Sequence, residues 1–200
     1  MLRRIKYGVV SVLMAGLLSA CSMMDTRPPV TQYDFGPLQV ERMGRMPKDI
    51  PSIATKVYAP EWMEENLMMY RLDYLNPLQI RFYTESSWTA MPSRLFKHRL
   101  DSYLMSVGNR ATSTMEGQTL ALHVVFEDFS QHFSDEGHST SHISARVALF
   151  RDQTLVAQQR FTEDVPTDSA DAAGGAKAFA QGTDAMIANI MNWVAIKGSR

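Results

Sequence analysis

Residues 120–127 read Leu120-Ala121-Leu122-His123-Val124-Val125-Phe126-Glu127. Leu120, Leu122, Val124 and Phe126 recur at every second position, the period that lines up side chains on one face of a strand. The pattern returns at Ile143, Ala145, Val147 and Leu149, and again at Leu155, Ala157 and Phe161 with a polar break at Gln159. Asp152-Gln153 separates the last two runs and reads as a hairpin turn. The polar stretch 130–141 reads as the loop joining the first two. A meander of three antiparallel strands is expected.

Beyond the meander the period changes. Ala172, Ala176, Phe179, Thr183, Met186, Ile187, Ile190 and Val194 fall at helical spacing and form one stripe. Asp168 or Ser169 is placed to cap this helix, with Asp171 in its first turn near the positive end of the macrodipole. The stretch from Ala170 to Ala180 is rich in small residues, which lets the helix lie close to a sheet. A second helix starts at Pro92, where the missing N–H leaves nothing unpaired. It buries Phe96, Leu100, Tyr103 and Leu104 and ends near Gly108-Asn109. Upstream, Leu38-Gln39-Val40 and Ile53–Tyr58 read as early strands. Met69–Tyr74 and Leu78–Tyr83 read as a hairpin about the turn dipeptide Asn76-Pro77. The whole describes an α/β fold: one domain, a sandwich of a mostly antiparallel or mixed sheet with two main packed helices.

The chain has 200 residues and a hydrophobic fraction of 45%, enough for one core. Its beginning follows other rules. Arg3, Arg4 and Lys6 precede an uncharged apolar run from Tyr7 to Leu18. A bilayer span needs roughly 20 apolar residues, so this run fits the core of an export signal instead. It closes on Leu18-Ser19-Ala20-Cys21, which resembles the bacterial lipobox. Small residues fit a signal-peptidase cleft, and a thiol is nucleophilic enough to accept a diacylglyceryl group. Cys21 is the one cysteine in the chain, so it has no intramolecular disulfide partner. The expected organisation is a leader over residues 1–20, a lipidated tether over 21–33 and a domain over 34–200. In lipoproteins generally an Asp after the cysteine favours retention at the inner membrane. Ser22 stands there, so the outer membrane is expected, with the domain facing the periplasm.

Cleavage would remove three positive charges from a formal net charge of -1. The remaining surface is mildly acidic and has no basic run, which argues against nucleic-acid binding. No G-x-S-x-G elbow appears, and Gly174-Gly175-Ala176-Lys177 lacks the upstream glycine and the Lys-Ser/Thr ending of a phosphate loop. His132, His138 and His142, with Asp135 and Glu136, suggest a metal centre only if they converge; in a polar loop they are solvated. Neither catalysis nor a cofactor is expected. Trp62, Met63, Met68 and Met69 belong to an aromatic and methionine-rich third of the chain. Most of that cluster reads as core, but methionines also serve adaptable contact surfaces, so these four are the candidate contacts with lipid or a partner.

Tyr70-Arg71-Leu72-Asp73-Tyr74-Leu75-Asn76-Pro77, then Tyr83, then Ser87-Trp88-Thr89-Ala90-Met91-Pro92, then Arg99-Leu100, resembles the ABC-type transport auxiliary lipoproteins of PqiC/YmbA type. Asp171-Ala172-Ala173, the Ala-rich helix and Trp193 extend the resemblance. It implies a TolB N-terminal-domain-like α/β fold without catalysis. It also implies a role beside a PqiB-type membrane protein with mammalian-cell-entry (MCE) domains, which moves lipid across the envelope. Phospholipid contact and homo-oligomerisation would accompany such a role. An envelope lipoprotein that activates another machine, such as a peptidoglycan synthase, is the alternative. Segment 130–141 departs from the family, whose members would have a compact strand connection there.

Overall fold

The run that opens at Leu120 becomes β6 (Leu120–Phe133), the spine of the sheet in this computed structural model. The structure describes residues 29–43, 51–108, 111–112 and 120–198; the leader, Cys21, Ser22 and the tether up to residue 28 lie outside them. Along one edge, β6 pairs antiparallel with β7 (Ser139–Arg151) from Leu120↔Arg151 to Phe133↔Ser139. Its other edge is shared. Leu120 to Val125 pair parallel with β2 (Ile53–Tyr58), and Gln131 to Phe133 pair parallel with β3 (Leu67–Leu72). Beyond β2 lies β5 (Ala111–Thr112); beyond β3 lie β4 (Arg81–Trp88), antiparallel, and β1 (Thr31–Tyr33), parallel to β4. β8 (Thr154–Pro166) lies at the far edge against β7, making one mixed sheet of eight strands among the described residues.

Two helices, α2 (Pro92–Ser106) and α3 (Ala172–Gly198), cover one face of that sheet. Phe96 of α2 meets Phe126 edge-on at 5.1 Å, while Phe179 of α3 stacks on Phe129 at 4.3 Å. Both phenylalanines of β6 can face the helices because the β6–β7 register slips between Phe126 and Asp128. A bulge adds one residue and reverses which parity points inward. Leu120, Leu122, Val124 and Phe126 face the core before it; Phe129, Gln131 and Phe133 do so after it. The apolar stripe expected on the last helix is buried throughout, and the meander is β6–β7–β8 as expected.

Several local expectations are corrected. The stretch read as the loop 130–141 is mostly strand, and only Ser134–His138 connects β6 to β7. Gln131, Ser139 and Ser141 are buried polar residues on the core side, so the apolar alternation disappears where the strand does not. The expected departure from the family's compact connection disappears with it. Leu38-Gln39-Val40 is not a strand. Gly36 takes a φ of 63° under a hydrogen bond from its N–H to Asp34 Oδ1, and Pro37 follows, so the chain leaves the sheet edge and forms the helical turn α1 (Val40–Met43). The first strand is instead Thr31–Tyr33, inside the stretch read as tether. The return strand starts at Arg81, because the Asn76 side chain and carbonyl accept from Leu78 and Gln79 and widen the turn. Finally, Asp171 itself caps α3: its Oδ1 accepts the Gly174 N–H at 2.7 Å.

Candidate functional site

The four candidate contact residues do not form one surface. Trp62 and Met63 are successive residues of a 3-10 turn, Glu61–Met63; Trp62 is 47% exposed and Met63 is buried. Met68 and Met69 on β3 are buried as well. The three methionines are core residues and are withdrawn as contacts. Only Trp62 stands at the surface.

The residues that carried the family resemblance are structural nodes. Trp88 is 1% exposed and meets Phe35, Phe129 and Phe179 edge-on at 5.6 to 5.8 Å. Arg99 donates from Nε and Nη2 to the two carboxylate oxygens of Asp184, at 2.7 and 2.8 Å, and from Nη1 to the Gly36 carbonyl at 2.7 Å. A planar guanidinium suits this task, since it bridges α2, α3 and the N-terminal segment at once. Tyr83 donates to Gln131 Oε1 at 3.1 Å, and Gln131 Nε2 donates to Ser139 Oγ and the Asp171 carbonyl. Burial pushes the Tyr83 phenol well above its ordinary range, so it is a permanent donor here. These nodes are occupied. A hollow of about 400 Å³ beside Arg99, lined also by Gly36, Leu95 and His98, therefore offers that guanidinium already committed.

The face of the sheet away from the helices is uncovered among the described residues, and it is banded. At one end Tyr58 and His123 lie edge to face at 6.0 Å, with Phe150 against His123 and the exposed Val125 beside them. Burial, then the charge of Lys56, lower the His123 pKa and favour its neutral ring. Next comes an ion ladder in which Glu127 of β6 meets Arg146 of β7 and Arg160 of β8 at 2.8 and 2.6 Å. The Arg160 hydrogen bond, ahead of the charges, holds the Glu127 carboxyl below its usual range. At the other end His132 pairs with Asp73 at 2.8 Å and His142 with Asp164 at 2.6 Å, the two rings 5.1 Å apart. His138 sits apart, on the β6–β7 turn with Asp135. No group of three or more His, Cys, Asp or Glu residues suited to a metal is found among the described residues.

The surface that sequence reasoning missed is the β3–β4 connection. Tyr74, Leu75 and Leu78 are 41%, 64% and 88% exposed, and Phe82 at the start of β4 is 45% exposed. Residues 74–80 read Tyr-Leu-Asn-Pro-Leu-Gln-Ile, an uncharged run in a loop where polar residues are the norm. That run was the available signal; it was spent on identifying the turn. The loop is tightly bonded. Leu75 and Asn76 N–H donate to the Leu72 carbonyl, Asp73 N–H donates to the Phe133 carbonyl, and Arg71 Nη1 donates to the Pro77 carbonyl. Arg71 in turn lies 3.7 Å from Asp128. The apolar tip is thus held by the sheet beneath it.

No helix among the described residues is long and apolar enough to cross a membrane. Neither a family model nor a curated protein matches the sequence. Solved structures do. A crystal structure of a Xanthomonas campestris protein of the DUF330 family is 18% identical, covers 85% of this chain and 97% of its own, and superposes with a TM-score of 0.71. A crystal structure of an uncharacterized protein, also 18% identical, covers 84% and 99% with a TM-score of 0.66. At such identity the likeness speaks for architecture alone: this chain is similar in fold, over most of its length, to a DUF330 protein.

Proposed function

We propose that this chain is a lipid-anchored envelope protein, held by Cys21 in the outer membrane and facing the periplasm. In this reading it is a non-catalytic docking component of an MCE-type intermembrane lipid transport system. The observation that carries the reading is the succession of a lipobox-like Leu18-Ser19-Ala20-Cys21 and, ten residues on, a strand already built into the sheet at Thr31. The family resemblance supports it, since its motif residues occupy the nodes of a DUF330-like fold. The internal hydrogen bonds of Arg99, Tyr83 and Gln131 give these residues a structural role.

Co-purification of the full chain from native membranes, with partners and lipids identified by mass spectrometry, tests the proposal. An MCE-domain protein recovered in stoichiometric amount is the expected result. Recovery with peptidoglycan synthases and no MCE protein would replace the transport reading with a regulatory one.

A further inference from the structure

The first described strand, read backwards, points along β4 toward the apolar tip. β1 runs parallel to β4 with Thr31 opposite Ser86 and Tyr33 opposite Trp88. Read backwards, the chain before Thr31 therefore heads toward Arg81, where β4 leaves the tip. Five strand residues separate Ser86 from Arg81, about 17 Å at 3.3–3.4 Å each. Ten residues separate Thr31 from Cys21, which span at most about 36 Å. With the tip toward the membrane, the acyl chains cannot lie more than about 20 Å beyond its base.

The tip is chemically suited to that position. Residues 74–80 carry no charge, and the Asn76 side-chain oxygen and carbonyl accept from the N–H groups of Leu78 and Gln79. Gln79 accepts from Arg81 Nη2 at 3.0 Å, which places a cation at the base of the loop, where lipid phosphates would lie. Asp73, which precedes the loop in the chain, is paired with His132, while Asp135 and Glu136 stand on the β6–β7 turn at the same end. A bonded loop whose two leucines are 64% and 88% exposed is a costly arrangement in water unless something covers it.

We infer that the β3–β4 tip, through Leu75 and Leu78, dips into the lipid bilayer that holds Cys21, as a second contact fixing the domain's orientation. The inference rests on the anchoring reading above. A lipid surface is argued rather than a protein because the register of β1 and the tether length keep the proposed anchor's bilayer within reach of this end.

The test uses the full chain, matured in a bacterial envelope and reconstituted into phosphatidylethanolamine–phosphatidylglycerol vesicles. Once Cys21 is acylated, Leu78→Cys provides the single free thiol, at a site so exposed that the fold is not at stake. A nitrobenzoxadiazole probe goes there, on a parallel Leu75→Cys chain, and on a Thr154→Cys control at the β7–β8 turn of the opposite end. Probes at 75 and 78 should shift to the blue and lose roughly half their emission or more to spin-labelled lipid, as expected for interfacial depth; the probe at 154 should stay aqueous. Water-like emission at all three positions in an acylated chain overturns the inference and leaves the anchor standing. Shielding that rises with protein density, or needs added envelope proteins, assigns the tip to a second copy or a partner and overturns it too. A mass without the acyl group, with two probes per chain, removes the anchoring reading and the inference together.

Discussion

Thr183 lies in the middle of the apolar stripe of α3, fully buried, and its hydroxyl has no hydrogen-bond partner. An unpaired buried hydroxyl loses its hydration without compensation, whereas a methyl of the same shape does not. Thr183→Val should therefore stabilise the protein by about 1 kcal/mol, read as a higher midpoint in urea with an unchanged slope. Asp171 makes the opposite case. The Gly174 N–H first, then the Ser169 hydroxyl, hold its carboxyl below the usual range. A depressed folded pKa means that the stabilisation is complete above the unfolded value of about 3.9 and disappears as pH falls through the folded one. Asp171→Ala should cost about 1 kcal/mol at neutral pH, the ordinary loss of a helix cap. The gap between variant and parent should narrow below pH ~4 in parallel urea titrations; a gap that persists undiminished would mean that the cap works without its charge.

At the scale of elements, α3 can approach β6 only because glycines stand at the contact. A Cβ on Gly175 would lie 2.3 Å from Gln131 Oε1. Gly175→Ala must displace the Gln131 amide and its bonds to Tyr83, Ser139 and the Asp171 carbonyl, at a cost of about 1–3 kcal/mol. Gln131→Ala in the same chain should make the glycine substitution cheaper, so the double variant should be less destabilised than the two losses added. The β2–β3 region separates in the same way. Met68→Ala empties a core position and should cost about 2–5 kcal/mol, while Trp62→Ser, at the surface, should stay within about 0.5 kcal/mol. Periodicity made the helices and the meander legible from residues alone, because Phe96, Phe179, Val124 and Val147 each sit on a long uninterrupted face. It failed wherever polar side chains point inward. Gln131, Ser139 and Ser141 on the core side, with the bulge at Glu127-Asp128, made a strand look like a loop. The contact quartet failed for a related reason: methionine content does not say which side of a strand is wet, and Met68 and Met69 are both buried. The β3–β4 tip was missed because Asn76-Pro77 accounts for the turn without accounting for the two leucines beside it.

At the scale of the molecule, the proposed anchoring raises the question of what would hold the domain at a membrane. Without the leader the chain is mildly acidic, so attraction to anionic lipid contributes nothing to attachment. Leu75 and Leu78 at the tip, buried completely, would supply at best about 3–6 kcal/mol, equivalent to a Kd between about 6 mM and about 40 µM. Acyl chains on Cys21, as proposed, would contribute about 0.8 kcal/mol per buried methylene, and two or three chains would exceed the tip many times over. Under the proposed anchoring, the acyl chains would decide whether the protein is at the membrane, and the tip how it stands there. Cys21→Ala should move the chain from the membrane pellet to the soluble fraction and leave its urea midpoint unchanged, since Thr31 is the first residue paired in the sheet among the described residues. The released domain would keep its fold and lose the raised local concentration that tethering provides, so envelope function should fail with it. A Cys21→Ala chain that still pellets after detergent-free washing, or that restores full function in a deletion strain, would show that something other than the lipid positions this domain.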